Sequence, residues 1–134
     1  MKNKIIVATS NKNKLMEIKD IFSEFEVIGI DHYVAPKETG STFCENALIK
    51  ARNIQYLNDI VIADDSGIEV EVLNGEPGVY SARYSGGDDY DNNKKLLEIL
   101  KNELNRKARF VCCMAAIVKG RVLTEEATLE GYIS

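Results

Sequence analysis

Two adjacent carboxylates, Asp64 and Asp65, directly follow the apolar run Ile60–Ala63 and precede Ser66 and Gly67. The apolar run is typical of a short buried strand. Ionised carboxylates at the end of such a strand repel each other and lose hydration, so they need a cation or hydrogen-bond donors. Ligands also bind at the carboxyl ends of strands in open α/β sheets. Two interpretations are open, a polar site or an ordinary turn, since Asp, Ser and Gly are common turn residues.

A second polar segment, residues 9–14, follows the first predicted strand, Ile5–Ala8, and opens a helix predicted from Lys12 to Ser23. The N-terminus of a helix has free N–H groups and partial positive charge, which suit a phosphate group. Lys12 and Lys14 oppose the helix dipole at a cost of about 0.3–1 kcal/mol each if exposed, and a bound anion would remove that conflict. Simple capping with solvated lysines is the alternative. The segment is not a Walker A loop, because no glycine-rich spacing precedes the lysine.

Charged residues elsewhere carry weaker signals. Lys50 projects from a predicted helix beside its buried stripe, and Glu38 lies in a loop from which it could reach a metal. The aspartates at 88–91 superficially resemble a calcium loop. That interpretation is rejected because Lys94 and Leu100 stand where such a loop needs glycine and a bidentate glutamate.

The composition indicates a soluble globular protein of one domain, residues 1–134, with 45% apolar and 28% charged residues. The net charge of −4 and the lack of a Lys/Arg-rich tract argue against a nucleic-acid polymer as partner, but not against a single nucleotide.

The start, Met1–Val7, is predicted as a first strand rather than a signal peptide, and no apolar run is long enough to span a membrane. The three cysteines have no metal-site spacing and are expected to be reduced thiols of a cytoplasmic protein. The single histidine, His32, has no obvious nucleophile partner, which gives a Ser-His or Cys-His hydrolase little support.

Alternating strands and helices must position these residues, which predicts an α/β domain with a mixed sheet and leaves the strand order open. Beyond the first strand and helix, the predicted elements are a strand at 26–30, a helix from Thr42 to about 54, strands at 59–63 and 68–73, a helix at 92–104, and hairpin strands at 108–118 and 121–133. Thr42 and Glu45 fit a capping box at the start of the second helix. Its predicted buried face is Phe43, Ala47, Ala51 and Ile54, and the third helix is predicted to bury Leu96, Leu97, Ile99 and Leu100.

Several motifs along the chain resemble one family when they are taken in order. They are Thr9-Ser10-Asn11 with Lys14, Glu38-Thr39-Gly40 with Thr42-Phe43, Glu45-Asn46-Ala47 with Lys50-Ala51, Ala63-Asp64-Asp65-Ser66-Gly67-Ile68, Gly75 with Pro77-Gly78-Val79-Tyr80-Ser81-Ala82-Arg83-Tyr84, and Ala108-Arg109-Phe110. The set resembles the inosine/xanthosine triphosphate pyrophosphatase (Ham-type) family. That family hydrolyses deaminated purine nucleoside triphosphates such as ITP, dITP and XTP to the monophosphate and pyrophosphate. The resemblance implies an elongated mixed sheet flanked by helices, with the active-site cleft at the carboxyl ends of strands.

The resemblance also implies roles for individual residues. Asp65 would be the general base and a ligand of Mg²⁺, with Glu38 and Asp64 as further metal ligands. Because neighbouring strand side chains alternate faces, Asp64 and Asp65 reach one metal only if the chain bends there, which Gly67 would ease. The predicted substrate-binding residues are Thr9, Ser10, Asn11, Lys12, Asn13, Lys14, Lys50, Ser66 and Arg83. The implied partners are a small-molecule purine nucleoside triphosphate and a second copy of the chain, with no nucleic-acid polymer and no membrane.

The sequence departs from the family pattern at a few positions. Ser10 stands where glycine is frequent, and Lys37 stands where an acidic residue often precedes Glu38. The family pattern also continues past residues 130–133 into segments that help form the purine pocket, so we expect the phosphate and metal half of a site without much of its base-reading half. The alternatives are a catalytically weak nucleotide-binding or oligomerising domain, and a Maf-like pyrophosphatase, which the stretch Ser81–Tyr84 fits less well.

Overall fold

The computed structural model describes residues 3–134, so Met1 and Lys2 of the predicted first strand lie outside the described residues. The elements are β1 (Lys4–Val7), α1 (Lys12–Ile21), β2 (Glu26–Ile28), α2 (Phe43–Ile54), β3 (Ile60–Val70), α3 (Asp89–Ile99), β4 (Lys107–Val118) and β5 (Arg121–Tyr132). Short 3₁₀ turns occupy 55–57, 71–73 and 78–83. None of the helices in the described part of the chain is long and apolar enough to cross a membrane.

The five strands form one sheet in the order β2-β1-β3-β4-β5. β1 pairs in parallel with β2 and with β3, in a register that sets Ile5 opposite Val27 and Ile6 opposite Val61. β4 and β5 are joined by Lys119 and Gly120, both with positive φ (51° and 82°), as a type I′ hairpin turn requires. The predicted α/β class with a mixed sheet and a hairpin at this position is therefore confirmed.

The contacts divide the chain into two compact units. The first contains the described residues up to Asp65 together with Cys113–Glu125, and the second contains Ser66–Cys112 together with Glu126–Ser134.

In the first unit, successive residues of β3 enter different cores because strand side chains alternate faces. Val61 and Ala63 pack with Ala47 and Ala51 of α2 in one buried cluster. Ile62 packs in a second cluster, with the buried Ile5, Val7, Ile18 and Val27 and with the flanking Leu15, Phe22 and Phe25. The helices α1 and α2 therefore lie on opposite faces of β3. The spacing of three and four residues between Leu15, Ile18, Phe22 and Phe25 predicts one buried stripe, and this prediction is confirmed.

The start of α2 differs in detail from the predicted capping box. Thr42 is the N-cap, and its hydroxyl accepts a hydrogen bond from the Glu45 N–H at 3.0 Å, as predicted. The Glu45 carboxylate, however, accepts from the Ser41 N–H at 2.7 Å, one residue before the N-cap. Both contacts still satisfy N–H groups at the helix entry, and the four predicted core residues of α2 are all buried.

A disulfide joins Cys44 in the first turn of α2 to Cys113 of β4, within the first unit. The expectation that all three cysteines are reduced thiols is therefore wrong. Spacing along the chain could not reveal this pair, because the two residues are separated by 69 positions and meet only once α2 packs on the sheet.

The predicted end of a strand at Ala63 is also wrong. β3 continues without a turn from Ile60 to Val70, so Asp64 and Asp65 lie inside a strand and the separate strand predicted at 68–73 is its second half. Turn-forming residue types misled the prediction. Both aspartates have a cationic partner where they stand, and the strand does not need to end to satisfy them.

In the second unit, α3 begins at Asp89, earlier than the predicted start at 92. The run that resembled a calcium loop is a capping box, in which the side chain of Asp88 accepts from the backbone of Asp91 and the side chain of Asp91 accepts from the backbone of Asp88. The core of this unit consists of Val70, Leu96, Leu100 and Ala108. The prediction that Leu97 and Ile99 pack inward is wrong, since they are 45% and 47% exposed.

Candidate active site

One lysine of the first unit contacts three acidic residues of that unit. The ammonium group of Lys50, on α2, lies 2.9 Å from Oε1 of Glu38 and 3.7 Å from Oδ1 of Asp65. It also donates a hydrogen bond to the backbone oxygen of Asp64 at 3.1 Å. The side chains of Lys50, Glu38 and Asp65 are only 16%, 17% and 10% exposed, so this cluster is largely withdrawn from water.

A second lysine neutralises the other aspartate. Lys14, in the first turns of α1, donates a hydrogen bond to Oδ1 of Asp64 and lies 3.0 Å from its Oδ2. The side chain of Asp64 faces α1, whereas that of Asp65 faces α2, because the two are neighbours on a continuous strand. The structure thus brings Glu38 and Asp65 to one cation and gives Asp64 to another. That Asp64 binds the same metal ion as Glu38 and Asp65 stays a prediction.

Lys50 is held in its charged form. Burial by itself lowers the pKa of Lys50, but the hydrogen bond to Glu38 and the charges of Glu38, Asp65 and Asp64 more than offset this, so its pKa is raised above 10.5. Lys50 therefore carries a full positive charge throughout the physiological pH range.

The turn from β1 into α1 is capped by its own side chains. Oγ1 of Thr9 accepts a hydrogen bond from the Asn11 N–H at 3.0 Å. Oδ1 of Asn11 accepts from the N–H groups of Asn13 and Lys14 at 2.9 and 3.2 Å. Ser10 and Lys12 are exposed. The alternative of simple capping therefore describes Asn11 correctly, while the expectation of solvated lysines is correct for Lys12 but not for Lys14.

The loop that carries Glu38 is held close to α2 by Asn46, which is fully buried. Oδ1 of Asn46 accepts a hydrogen bond from the Gly40 N–H at 2.8 Å. A Cβ atom on residue 40 would lie 2.7 Å from that oxygen, so this close approach requires glycine. The contact keeps Glu38, two residues earlier, within reach of Lys50.

Tyr33 belongs to the surroundings of the site and was missed by sequence reasoning. Its ring packs against the cluster of Ala47 and Ala51, and its hydroxyl is buried without a hydrogen-bond partner among the described residues. Burial raises the pKa of Tyr33, the charge of Lys50 lowers it and that of Glu38 raises it, with a net increase above 10.0. A lone tyrosine in a loop carries no pattern that could have identified it.

Two carboxylates of the site could be ligands of a Mg²⁺ ion whose other ligands are phosphate oxygens of a substrate. Mg²⁺ is usually bound through one or two carboxylates plus substrate phosphates rather than by an all-protein cage. Over residues 3–134, no group of three or more His, Cys, Asp or Glu side chains is arranged to hold a metal ion. Glu38 and Asp65 nevertheless converge on the same cationic group, so two oxygen donors already face one position.

Two predicted substrate-binding residues, Ser66 and Arg83, belong to the second unit. Ser66 continues β3 directly after Asp65. The guanidinium carbon of Arg83 lies 5.0 Å from the centre of the Tyr80 ring, a cation–π distance. Their contact with substrate stays a prediction.

The fold and the site together define an α/β protein. Two lysines on helices pair with three carboxylates, of which two lie on the central strand β3 and one in a loop. The family model described as the Ham1 family matches residues 5–134. The chain belongs to the Ham1 family, as the motifs of the sequence predicted.

The sequences and structures of similar proteins support the same family assignment. The dITP/XTP pyrophosphatase of Staphylococcus aureus strain MW2 is 48% identical over 117 residues, which are 83% of this chain and 60% of that protein. The dITP/XTP pyrophosphatase of Campylobacter jejuni subsp. doylei is 46% identical over 143 residues, which are 97% of this chain and 72% of that protein. The solved structure of the Staphylococcus aureus Ham1 protein has a TM-score of 0.89 at 42% identity, with 98% of this chain and 72% of that chain covered. The chain thus spans about 60% of the length of the first of these relatives.

Proposed function

We propose that the protein hydrolyses deaminated purine nucleoside triphosphates (ITP, dITP and XTP) to the monophosphate and pyrophosphate, with Mg²⁺ as cofactor. The observation that carries the proposal is the convergence of Glu38 and Asp65 on the ammonium of Lys50. Membership of the Ham1 family and the names of the similar proteins supply the reaction and the substrate class.

The charge of the site supports a metal-bound phosphate chain. The side chains of Lys14, Lys50, Glu38, Asp64 and Asp65 together carry one more negative than positive charge. A triphosphate would meet net repulsion there, so a divalent cation is needed to bring it close to the carboxylates. When bound, Mg²⁺ neutralises phosphate charge and makes the phosphorus more electrophilic.

The remaining chemistry falls to the residues of the chain. Lys14 and Lys50 donate hydrogen bonds to phosphate oxygens, with Thr9, Ser10, Asn11, Lys12 and Asn13 around the same helix entry. Asp65 accepts a proton from the water that attacks the α-phosphorus. A bond forms between the water oxygen and the α-phosphorus as the bond to the bridging α–β oxygen breaks, and pyrophosphate leaves. The two lysines stabilise the negative charge that develops on the leaving pyrophosphate.

Product analysis with a panel of nucleotides tests the proposal. ITP, XTP, GTP and dTTP are incubated with the protein in Mg²⁺ or in EDTA, and monophosphate, diphosphate, pyrophosphate and phosphate are quantified. We expect monophosphate and pyrophosphate from ITP and XTP in Mg²⁺ and no turnover in EDTA. Release of single phosphates would overturn the proposed reaction, a preference for dTTP would favour a Maf-like enzyme, and binding without turnover would favour a catalytically weak nucleotide-binding domain.

The proposal also includes a homodimer that acts in the cytoplasm. Light scattering tests the assembly, with an expected mass of twice the 15.0 kDa of one chain. Disulfides are rare in reducing compartments, so the Cys44–Cys113 bond is the observation that bears against this location. Alkylation of thiols in intact cells, followed by mass spectrometry, would show whether these two cysteines are reduced where the protein works.

A further inference from the structure

In the structure the ammonium of Lys50 lies where the carboxylates of Glu38 and Asp65 converge. It lies against one carboxylate oxygen of Glu38 and one of Asp65, and it donates to the backbone oxygen of Asp64. These are the oxygen ligands that Mg²⁺ prefers. A cation bound by the same carboxylates must therefore replace the ammonium or approach it closely.

The ammonium of Lys50 is enclosed where it lies, since its side chain is only 16% exposed and contacts both carboxylates. If Mg²⁺ alone displaced it, an ammonium would be left largely buried beside a divalent cation, without an anionic partner. Removal of water from a free Mg²⁺ ion also costs free energy, and only two carboxylate ligands would replace that water here.

A triphosphate would offset both the unpaired ammonium and the shortage of metal ligands. Some of its oxygens would be the remaining ligands of the metal. Others would accept hydrogen bonds from the Lys50 ammonium as it leaves Glu38 and Asp65. The same exchange is open to Lys14, which would move from Asp64 to a phosphate oxygen. Glu38 and Asp65 would then be free to hold the metal, and Lys14 and Lys50 would donate hydrogen bonds to phosphate oxygens.

We propose that Lys50 excludes free Mg²⁺ from Glu38 and Asp65, so that the site accepts the metal only as a metal–triphosphate complex. The inference rests on the proposed function, because it assumes that Glu38 and Asp65 bind the metal of a nucleotide. It assigns to Lys50 a selective role in addition to its contact with phosphate.

Calorimetry on the whole chain tests this role without any turnover. MgCl₂ alone and MgCl₂ with inorganic triphosphate are titrated into the wild type, Lys50→Met and Lys19→Met, and thermal unfolding is followed under the same conditions. Lys19→Met is the matched control because Lys19 is exposed in the last turn of the helix that carries Lys14 and is not one of the proposed site residues. We expect no saturable Mg²⁺ binding by the wild type or by Lys19→Met, and clear binding when triphosphate is present.

Removal of the ammonium should open the carboxylates to the free ion. We expect Lys50→Met to bind Mg²⁺ alone at least about tenfold more tightly than the wild type, the equivalent of one charge-assisted contact. Saturable binding of Mg²⁺ alone by the wild type would overturn the inference and leave the proposed function standing. No binding of Mg²⁺ with triphosphate by the wild type would overturn the proposed function as well. If Lys50→Met does not fold, the two wild-type titrations still decide between these outcomes.

Discussion

At the scale of single residues, the site is a set of charge pairs, and the proposed function requires these pairs to exchange partners when a ligand binds. Lys14 neutralises Asp64, and Lys50 neutralises Glu38 and Asp65. Buried or partly buried carboxylates beside a strand are unfavourable without such partners. The pairs thus keep the acidic residues in place before a phosphate chain arrives.

Lys14 and Lys19 provide a matched test of phosphate binding, since both lie on α1 but Lys19 is exposed in its last turn. Lys14→Gln removes the ammonium that faces Asp64, and we expect the KM for ITP to rise by about tenfold or more, as for the loss of one charge-assisted hydrogen bond. Lys19→Gln should change KM by less than about twofold, because an exposed charge is screened by solvent. Steady-state kinetics of both variants measure the difference. Equal effects would contradict a specific role for Lys14.

The raised pKa of Lys50 predicts a pH-dependent contribution to stability. A group whose pKa is higher in the folded than in the unfolded state stabilises the fold below the unfolded value, and loses that contribution as the pH rises through the folded value. Lys50→Met should therefore be less stable than the wild type at pH 8, and the difference should shrink above pH 10.5. Urea unfolding of both proteins at pH 8 and above pH 10.5 measures it. A difference that does not change with pH would indicate that Lys50 contributes only by packing.

At the scale of elements, residue pattern predicted the first two helices well, the third helix less well and the path of β3 poorly. The stripe Leu15, Ile18 and Phe22 and the cap at Thr42 are local signals, and both were correct. The segment Asp64–Gly67 has the residue types of a turn, but it lies within the strand, where the lysines of α1 and α2 neutralise its two aspartates. Neutralisation by lysines that are distant in sequence cannot be predicted from the residues next to Asp64 and Asp65.

The disulfide is likewise a property of packed elements and makes its own prediction. Reduction of Cys44–Cys113, or the substitution Cys44→Ser, should lower the free energy of unfolding by about 4 kcal/mol in the chain-entropy account for a sequence separation of 69 residues. Cys112→Ser is the control, because Cys112 is not part of this disulfide. Denaturant unfolding with and without dithiothreitol provides the measurement. Identical curves in the two conditions would show that the bond does not stabilise the folded chain.

At the scale of the whole molecule, each residue predicted for the site can be assigned to one of two compact units. Lys14, Lys50, Glu38, Asp64 and Asp65 belong to the first unit, whose own contacts hold them together. Ser66 and Arg83 belong to the second. Motif order along the chain identified the family and most of this set, but it could not show that the three acidic residues pair with two different lysines.

Net charge belongs to the same scale. A chain of net charge −4 does not attract polyanions in general, so the proposed binding of a triphosphate would depend on the local lysines and on a divalent cation. The candidate site is accordingly a small group of residues on β3, α1 and α2, with Glu38 beside them, rather than a basic surface.

The most direct test of the account is pyrophosphate release from ITP by the wild type, Asp65→Asn and Asp59→Asn in the presence of Mg²⁺. Asparagine keeps the shape of Asp65 but cannot take the proton of the attacking water, so we expect its rate to fall by at least about 100-fold. Asp59→Asn changes an exposed aspartate just before β3 and should keep the wild-type rate. Equal rates for the wild type and Asp65→Asn would contradict the account.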